Sequence, residues 1–593
     1  MAVHGETLSV GVTGHRPERL GRANLAKVTE QIGEVLDAVA AAAREQGEGI
    51  NLRIVSALAQ GADAIAADAA RARGWSLDCV LPFGRDDYAA DFPEADDEAA
   101  FRGRLAGAGA VFELPGGRAA RSDPRAYERS GRVVLAQSDI LLAVWDRGPL
   151  QGRGGTGQIV AEAVVEDVPV ILIDPGGANP PTLLWDGLQD HDLGQQTLDT
   201  VPRSDLSALP RVARALIGRP EPTDNPAMRR FYSEAPPPRR TLALAFPLLL
   251  AMVGVRGLRA SDFTVPDLTR AEAPILDVSS GMADRAPDFA SRLRGALAPR
   301  FARADVMATY TGQLFRSGYV INFTLAAAAV ALALSGLALP PAAKPFLIVL
   351  ELSAIGGILA LTRAAHRVAW HQRWLDSRHL AERLRCLALS AQLGDLSLRI
   401  GADQEPPWVT SVARSTAHRL GLPSARVDEG YLSDVRAALL GMIDDQLAYL
   451  SGDAHRMHRL EHRLHNLGTM LFALTALICV GFLAFEAVLN MAASGAPEGM
   501  AHRVAIGVTI ASGALPAIGA AIYGIRMQGD FAGVAERSEA LAHHLGVLKR
   551  AVEDDVLTFD TLRRRIRHAV DLLTADLTQW RQTYHARPLS LPG

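Results

Sequence analysis

The chain of 593 residues predicts two parts in series: an α/β doubly wound parallel sheet, then an all-α membrane domain with four transmembrane helices and long cytoplasmic helices. Over residues 1–175, short apolar runs such as DILLAVW (139–145) and VPVILID (168–174) alternate with helical patterns. Continuous apolar runs of that length are what parallel strands buried on both faces require. Beyond residue 318, four apolar runs are long enough to cross a bilayer: 319–339, 345–362, 467–489 and 504–525. The first has no charge in 21 residues, and as a helix it would rise about 31 Å at ~1.5 Å per residue, against a hydrocarbon core of about 30 Å. The third observation is where the basic residues fall. Arg303 and Arg316, Arg363 and Arg367, Arg456, Arg459 and Arg463, and Arg526 and Arg537 flank the runs on one side, whereas the two intervening turns hold only Lys344 and Arg503. The positive-inside rule then places both chain ends in the cytoplasm and the protein in the inner (cytoplasmic) membrane.

In chain order, strands are expected at 8–13, 53–56, 77–81, 110–114, 140–145 and 169–173, with helices at 23–43 and 62–73. The N-terminus lacks the long apolar core of a secretory signal. Cys79, Cys386 and Cys479 are scattered, so neither a metal site nor a disulfide framework is expected. A net charge of −4 offers no basic footprint for nucleic acid.

In such sheets, ligands bind beyond the carboxyl ends of the strands. The unusual polar and glycine residues fall there: Thr13, Gly14, His15 and Arg16 after the first strand; Ser56, Gly61, Ala62 and Asp63 after the second; Pro82 and Phe83 after the third. After the fifth come Asp146 and then Gly154, Gly155 and Thr156, opening the next helix. Glycines let backbone amides approach a phosphate, a helix N-terminus adds about half a positive charge, and Arg16 can grip a phosphate with two bonds. A phosphate-containing small molecule is the expected ligand. Each feature has a plainer reading as well: a tight turn, a loop hydrogen bond from His15, a brace from Arg16.

GVTGHR, SALAQGADAIAADAA and GRGGTGQIVAEA resemble the SLOG superfamily over roughly residues 7–175. That group includes the Lonely Guy phosphoribohydrolases, DNA-processing protein A and the sensor domains of melastatin-type TRP channels. The resemblance implies a Rossmann-like fold that binds a nucleotide or nucleotide-sugar derivative. The group's hydrolases carry a catalytic glutamate just after Pro-Gly-Gly-x-Gly-Thr. Here Gln158 falls in that region and Glu162 a helical turn later. Glutamine cannot act as a general base, so the departure implies binding rather than hydrolysis, and no catalytic residue is assigned.

The organisation expected is a SLOG-like domain over 1–220, a Pro-rich linker over 221–300 with a short apolar interfacial segment at 241–255, a first two-span hairpin with its cytoplasmic helix over 301–400, and a second with C-terminal helices over 401–593. Residues 363–393 should continue the second span as one arginine-rich helix, and 402–423, opened by QEPPW, should be loose. The two hairpins look like a duplication, with LFRSGY (314–319) matching LHNLGT (464–469). Their layout is similar to the SLATT effector, a two-span hairpin linked to SLOG domains in predicted nucleotide-triggered defence systems. Glu351 and Glu486 lie within apolar runs, where charge is costly and often functional. Four spans barely enclose a pore, so a homo-oligomer is expected. The implied function is a receptor that senses a nucleotide-derived ligand and opens or disrupts the membrane. A membrane-anchored nucleotide-processing enzyme, a transporter and a scaffold are the alternatives. For topology, cysteines introduced at 341–343 should react with an impermeant maleimide from outside intact cells, whereas one near Arg373 should not; external labelling near Arg373 overturns the four-span arrangement.

Overall fold

The computed structural model describes residues 6–20, 25–92, 94–117, 124–148, 154–188, 196–217, 225–399, 405–491, 498–589 and 591. The chain begins with β1 (Thr7–Gly14), α1 (Leu25–Glu45), β2 (Asn51–Ser56), α2 (Ala62–Ala72), β3 (Ser76–Leu81) and β4 (Ala110–Glu113). It continues with α3 (Pro124–Gln137), β5 (Ile140–Val144), α4 (Thr156–Val165), β6 (Val170–Ile173), β7 (Thr182–Leu184), β8 (Arg203–Ser204) and α5 (Leu209–Ile217). Each predicted strand is present. A ninth strand, β9 (Ala425–Arg426), comes from far along the chain. The sheet runs β8-β7-β6-β5-β1-β2-β3-β4-β9, parallel except at β7 and β8. Strand order reverses between β1 and β5, which makes their carboxyl ends the switch point of the fold.

One face of the sheet is covered by α1 and α2, whose Val28, Ile32, Leu36, Ala66 and Ala70 meet Leu8, Val10, Ile54 and Leu77. On the other face, Val55, Val80 and Phe112 share a core with α3 and with helices from the second half of the chain. Residues 225–300, read as a linker, contain short helices whose Phe231, Ile275, Met282 and Phe289 are buried in that core. Among them α6 (Ala245–Met252) buries Phe246 and Leu250, while Leu242 is 94% and Met252 85% exposed.

The helical part consists of α7 (Ala298–Ser335), α8 (Lys344–Val368), α9 (Trp370–Ser390), α10 (Pro407–Leu420), α11 (Glu429–Met491), α12 (Glu498–Gly529), α13 (Phe531–Asp554) and α14 (Phe559–His585). The stretches containing α7, α8, α11 and α12 are long and apolar enough to cross a membrane. Their apolar side chains, Phe346, Leu352, Phe472 and Leu483 among them, face outward.

Two expectations change here. The helix over 363–393 is broken at Ala369, which is left-handed at φ 54°. Trp374 stacks on Phe315 of α7 at 5.4 Å, so α9 turns back along its own hairpin instead of running on straight. Asp530, at φ 48°, ends α12 in the same way, and the following Phe531 is buried against Phe246. Each half therefore has the same plan: helix, turn, second span, one left-handed residue, an aromatic, then a helix packed on the first. That recurrence supports the expected duplication. The second change is α10, which occupies the stretch expected to be loose. Pro407 sits at its first helical position, where the missing N–H costs nothing and the fixed φ suits the helix.

The strand β9 and helix α10 attach this part to the sheet. Val427 N–H donates to Glu113 O at 2.8 Å beside the β4–β9 ladder. Beneath, at the amino ends of the strands, lies a buried polar network. Arg53 Nη2 donates to Ser9 Oγ at 2.7 Å and lies 3.2 Å from His418 Nδ1. His418 Nε2 is 3.1 Å from Asp139 Oδ1, and Asp139 Oδ2 accepts from Arg414 at 3.0 Å and from Ser9 N–H at 2.8 Å. Serine, histidine and aspartate thus stand in the order of a hydrolase triad, but the His418 and Asp139 side chains are 2% and 1% exposed. Ser9 Oγ is also held by the guanidinium, so the group joins structure and offers no nucleophile.

Burial, opposed by Asp139 and aided by Arg414 and Arg53, lowers His418 to about 4. The folded protein therefore keeps His418 neutral while the unfolded chain takes up a proton below its ordinary 6.5. Stability is lost as pH falls from about 6.5 to about 4, by on the order of 3 kcal/mol. Thermal melts of the full chain in nanodiscs at pH 7.5 and 5 should show a larger acid loss for the native protein than for His418→Gln.

Candidate ligand site at the switch point

Two glycines bring the end of β1 against the start of α2. A Cβ on Gly14 would lie 2.4 Å from the Ala62 methyl, and one on Gly61, at φ 98°, would lie 2.6 Å from His15 O. Ala62 N–H donates to that carbonyl at 3.3 Å. Only glycine tolerates either approach. On the other side of β1, His15 N–H donates to Val144 O at 3.1 Å, and its buried ring places Nε2 3.1 Å from Asp146 Oδ1. The Gly148 amide, with His15 adding to it against slight burial, holds the Asp146 carboxyl below its usual range. Thr13, Gly14, His15 and Asp146 thus stand together at the switch point, with Gly155 and Thr156 opening α4 after β5.

The two helix starts are not alike. At α2, Ala62 and Ala64 already donate to His15 O and Ala59 O. The Asp63 carboxyl turns back on its own loop, taking bonds from the Ala57 and Ala59 amides and from Ser56 Oγ at 3.4 Å. This start shapes the rim and has little left for an anion. At α4, Gly154 adopts φ 78° and donates to Gln158 Oε1 at 2.9 Å. The Thr156 and Gly157 amides have no backbone acceptor among the described residues. The amide of Gln158 donates to Glu128 and Glu162, and Arg132 pairs with both carboxylates. Burial alone would raise Glu162, but Arg132 and Gln158 bring it below the usual range. Gln158 and Glu162 therefore serve as braces for the glycine turn. Residues 152 and 153 of that turn lie outside the described residues.

Arg16 projects from the rim, half exposed. Its guanidinium lies 5.3 Å over the Tyr127 ring and 3.9 Å from Asp91 Oδ2, which accepts from the Tyr127 hydroxyl at 2.7 Å. Pro82 and Phe83 are buried, with Phe83 edge-on to Tyr88 and Tyr127, so they form the floor and not the lining. Tyr127, Tyr88 and Asp91 were missed in the sequence because no glycine or strand end marks them. The rim thus combines a guanidinium over an aromatic face, helix amides without a backbone acceptor among the described residues and a carboxylate held ionised, which suits a phosphate joined to a flat or hydroxylated group.

In the spans, Glu351 is half-buried and Glu486 exposed, and neither has a side-chain partner among the described residues. Among the described residues no cluster of His, Cys, Asp or Glu could hold a metal.

Burial, against bonds from Ser56 and the Ala57 and Ala59 amides, pushes the Asp63 carboxyl up to about 7. Its contribution to stability is complete below about 4 and is lost as pH rises through 7, by on the order of 3 kcal/mol between pH 5 and 8. Asp63→Asn should flatten that part of the pH–stability profile and melt above the native protein at pH 8, as differential scanning fluorimetry would read.

Compared with known proteins, the chain matches no family model, no curated protein and no solved structure.

Proposed function

We propose that the protein is a membrane-embedded receptor in the inner membrane, with both chain ends cytoplasmic. Its SLOG-like α/β domain binds a nucleotide-derived ligand, and tandem SLATT-like hairpins respond by opening or disrupting the bilayer, in a prokaryotic defence role and as a homo-oligomer. The observation that carries this reading is that β9 and α10, from between the two hairpins, join the sheet that bears the rim, β9 at its edge and α10 through Arg414 and His418. A second connection runs from the glycine turn. Gly154 bonds Gln158, which bonds Glu162 and so reaches Arg132; Arg563 of α14 then donates to Arg132 O at 3.3 Å and pairs with the buried Asp395. Helix α14 packs on α9 and α13, which lead to the left-handed joints at Ala369 and Asp530. A ligand that settles on the glycine turn therefore acts on groups already tied to the second spans.

The rival reading is an enzyme, for which Asp63, its carboxyl raised by burial, would be the acid, although that carboxyl is buried and bonded to its own loop. The receptor reading requires the ligand to bind the active state more tightly than the resting one, because equal affinity shifts nothing. In proteoliposomes screened with nucleotides and nucleotide sugars, an active compound should raise ion flux without being consumed. Arg16→Ala should weaken its binding by about 1.5–3 kcal/mol, the scale of a charge-assisted hydrogen bond, and abolish the flux response. Glu351→Gln should change the flux or ion preference at unchanged affinity. Turnover of the compound with no change in conductance would establish the enzyme reading.

A further inference from the structure

A cavity of about 780 Å³ lies between α6 and the spans of α7, α11 and α12. That is within the range of ligand cavities, about 300–1,000 Å³. One side of the void has small residues: Ala327, Ala328 and Ala331 of α7 line it with Ala521 of α12, among larger residues such as Leu249, Leu467 and Ile522. Small residues at facing positions ordinarily let membrane helices close on one another. Here α6 occupies the end of the gap and is fixed to α7. Ser317 Oγ donates to Ala243 O at 2.7 Å and accepts from Phe246 N–H at 3.3 Å, and Phe246 packs on Tyr319.

The wall is apolar but its mouth is not. Arg463 lines it, with Nη1 donating to Val253 O at 2.7 Å. No carboxylate pairs with Arg463 among the described residues. Arg459 and Asn466 stand one turn to either side on the same face of α11, at the entry to its span. Met252, which lines the cavity with Arg463 and Asn466, is 85% exposed, where basic residues give way to the apolar span. An apolar void open to a bilayer loses dispersion contacts unless hydrocarbon fills it. A guanidinium without a carboxylate partner among the described residues, at the cytoplasmic boundary, meets a leaflet that carries negative headgroups.

We infer that this cavity is a binding site for an anionic glycerophospholipid. One acyl chain lies against the alanine wall, and the phosphodiester sits on Arg463 with Arg459 and Asn466 beside it. The assignment rests on the four spans lying in a bilayer and is independent of what the α/β domain binds. Native mass spectrometry of the detergent-solubilised full chain, titrated with phosphatidylglycerol or phosphatidylcholine of identical acyl chains, tests it. Phosphatidylglycerol should saturate one site per chain with at least tenfold higher affinity. Arg463→Gln should remove that preference, and Ala328→Phe, which fills the wall without touching the guanidinium, should weaken both lipids at least tenfold. Equal affinity for the two lipids in the native protein overturns the assignment. So does a preference that survives Arg463→Gln, or a saturable site that survives Ala328→Phe.

Discussion

Asp139 is the group on which the two halves of this protein depend. It is nearly inaccessible to water and is held by the Ser9 amide, Arg414 and the His418 ring, one residue of β1 and two of α10, with Arg414 alone bringing a positive charge. Burying a carboxylate costs several kcal/mol and is tolerated only where such partners converge. Removing any one leaves the others buried and unmatched. Arg53 closes the group from β2 and reaches Asp78 on β3, so three neighbouring strands share in it. The sheet and the helical part are consequently one body at the amino ends of the strands.

The carboxyl ends carry different chemistry. There the chain spends glycines on close approach and leaves polar groups facing outward: Arg16 above Tyr127, the first amides of α4, and the ionised Asp146. The sheet thus has a closed polar base that ties it to the helical part and an open polar rim at its other end. The bracing of the glycine turn through Gln158, Glu162 and Arg132 leads away from the rim to Arg563 of α14.

Much of this was legible in the sequence, for identifiable reasons. The strands announced themselves because parallel strands buried on both faces must be apolar throughout, and the spans because hydrocarbon admits few charges. Gly14 and Gly61 were marked by position, and the structure gives the contact each avoids. What escaped notice depended on partners distant in the chain. The two residues of β9 have no pattern of their own and become a strand only because β4 lies beside them. Helix α10 was hidden by Pro406 and Pro407, which stop a helix from one direction and start one from the other. The joint at Ala369 left no trace, since alanine favours the helix; Trp374 and Phe315 impose the turn from outside. Tyr127 and Asp91 reach the rim through packing alone.

The position of α10 in the chain has a consequence for synthesis. A ribosome makes β1, β2 and β5 first, then the first pair of spans, and only afterwards residues 407–426, which complete the sheet. Until they emerge, Arg53 and Asp139 lack His418 and Arg414, and the edge of β4 is bare. The first hairpin is thus made while the domain preceding it is still open. A chain interrupted before residue 426 therefore displays an unfinished, aggregation-prone sheet edge to the cell's quality-control machinery and not a completed sheet.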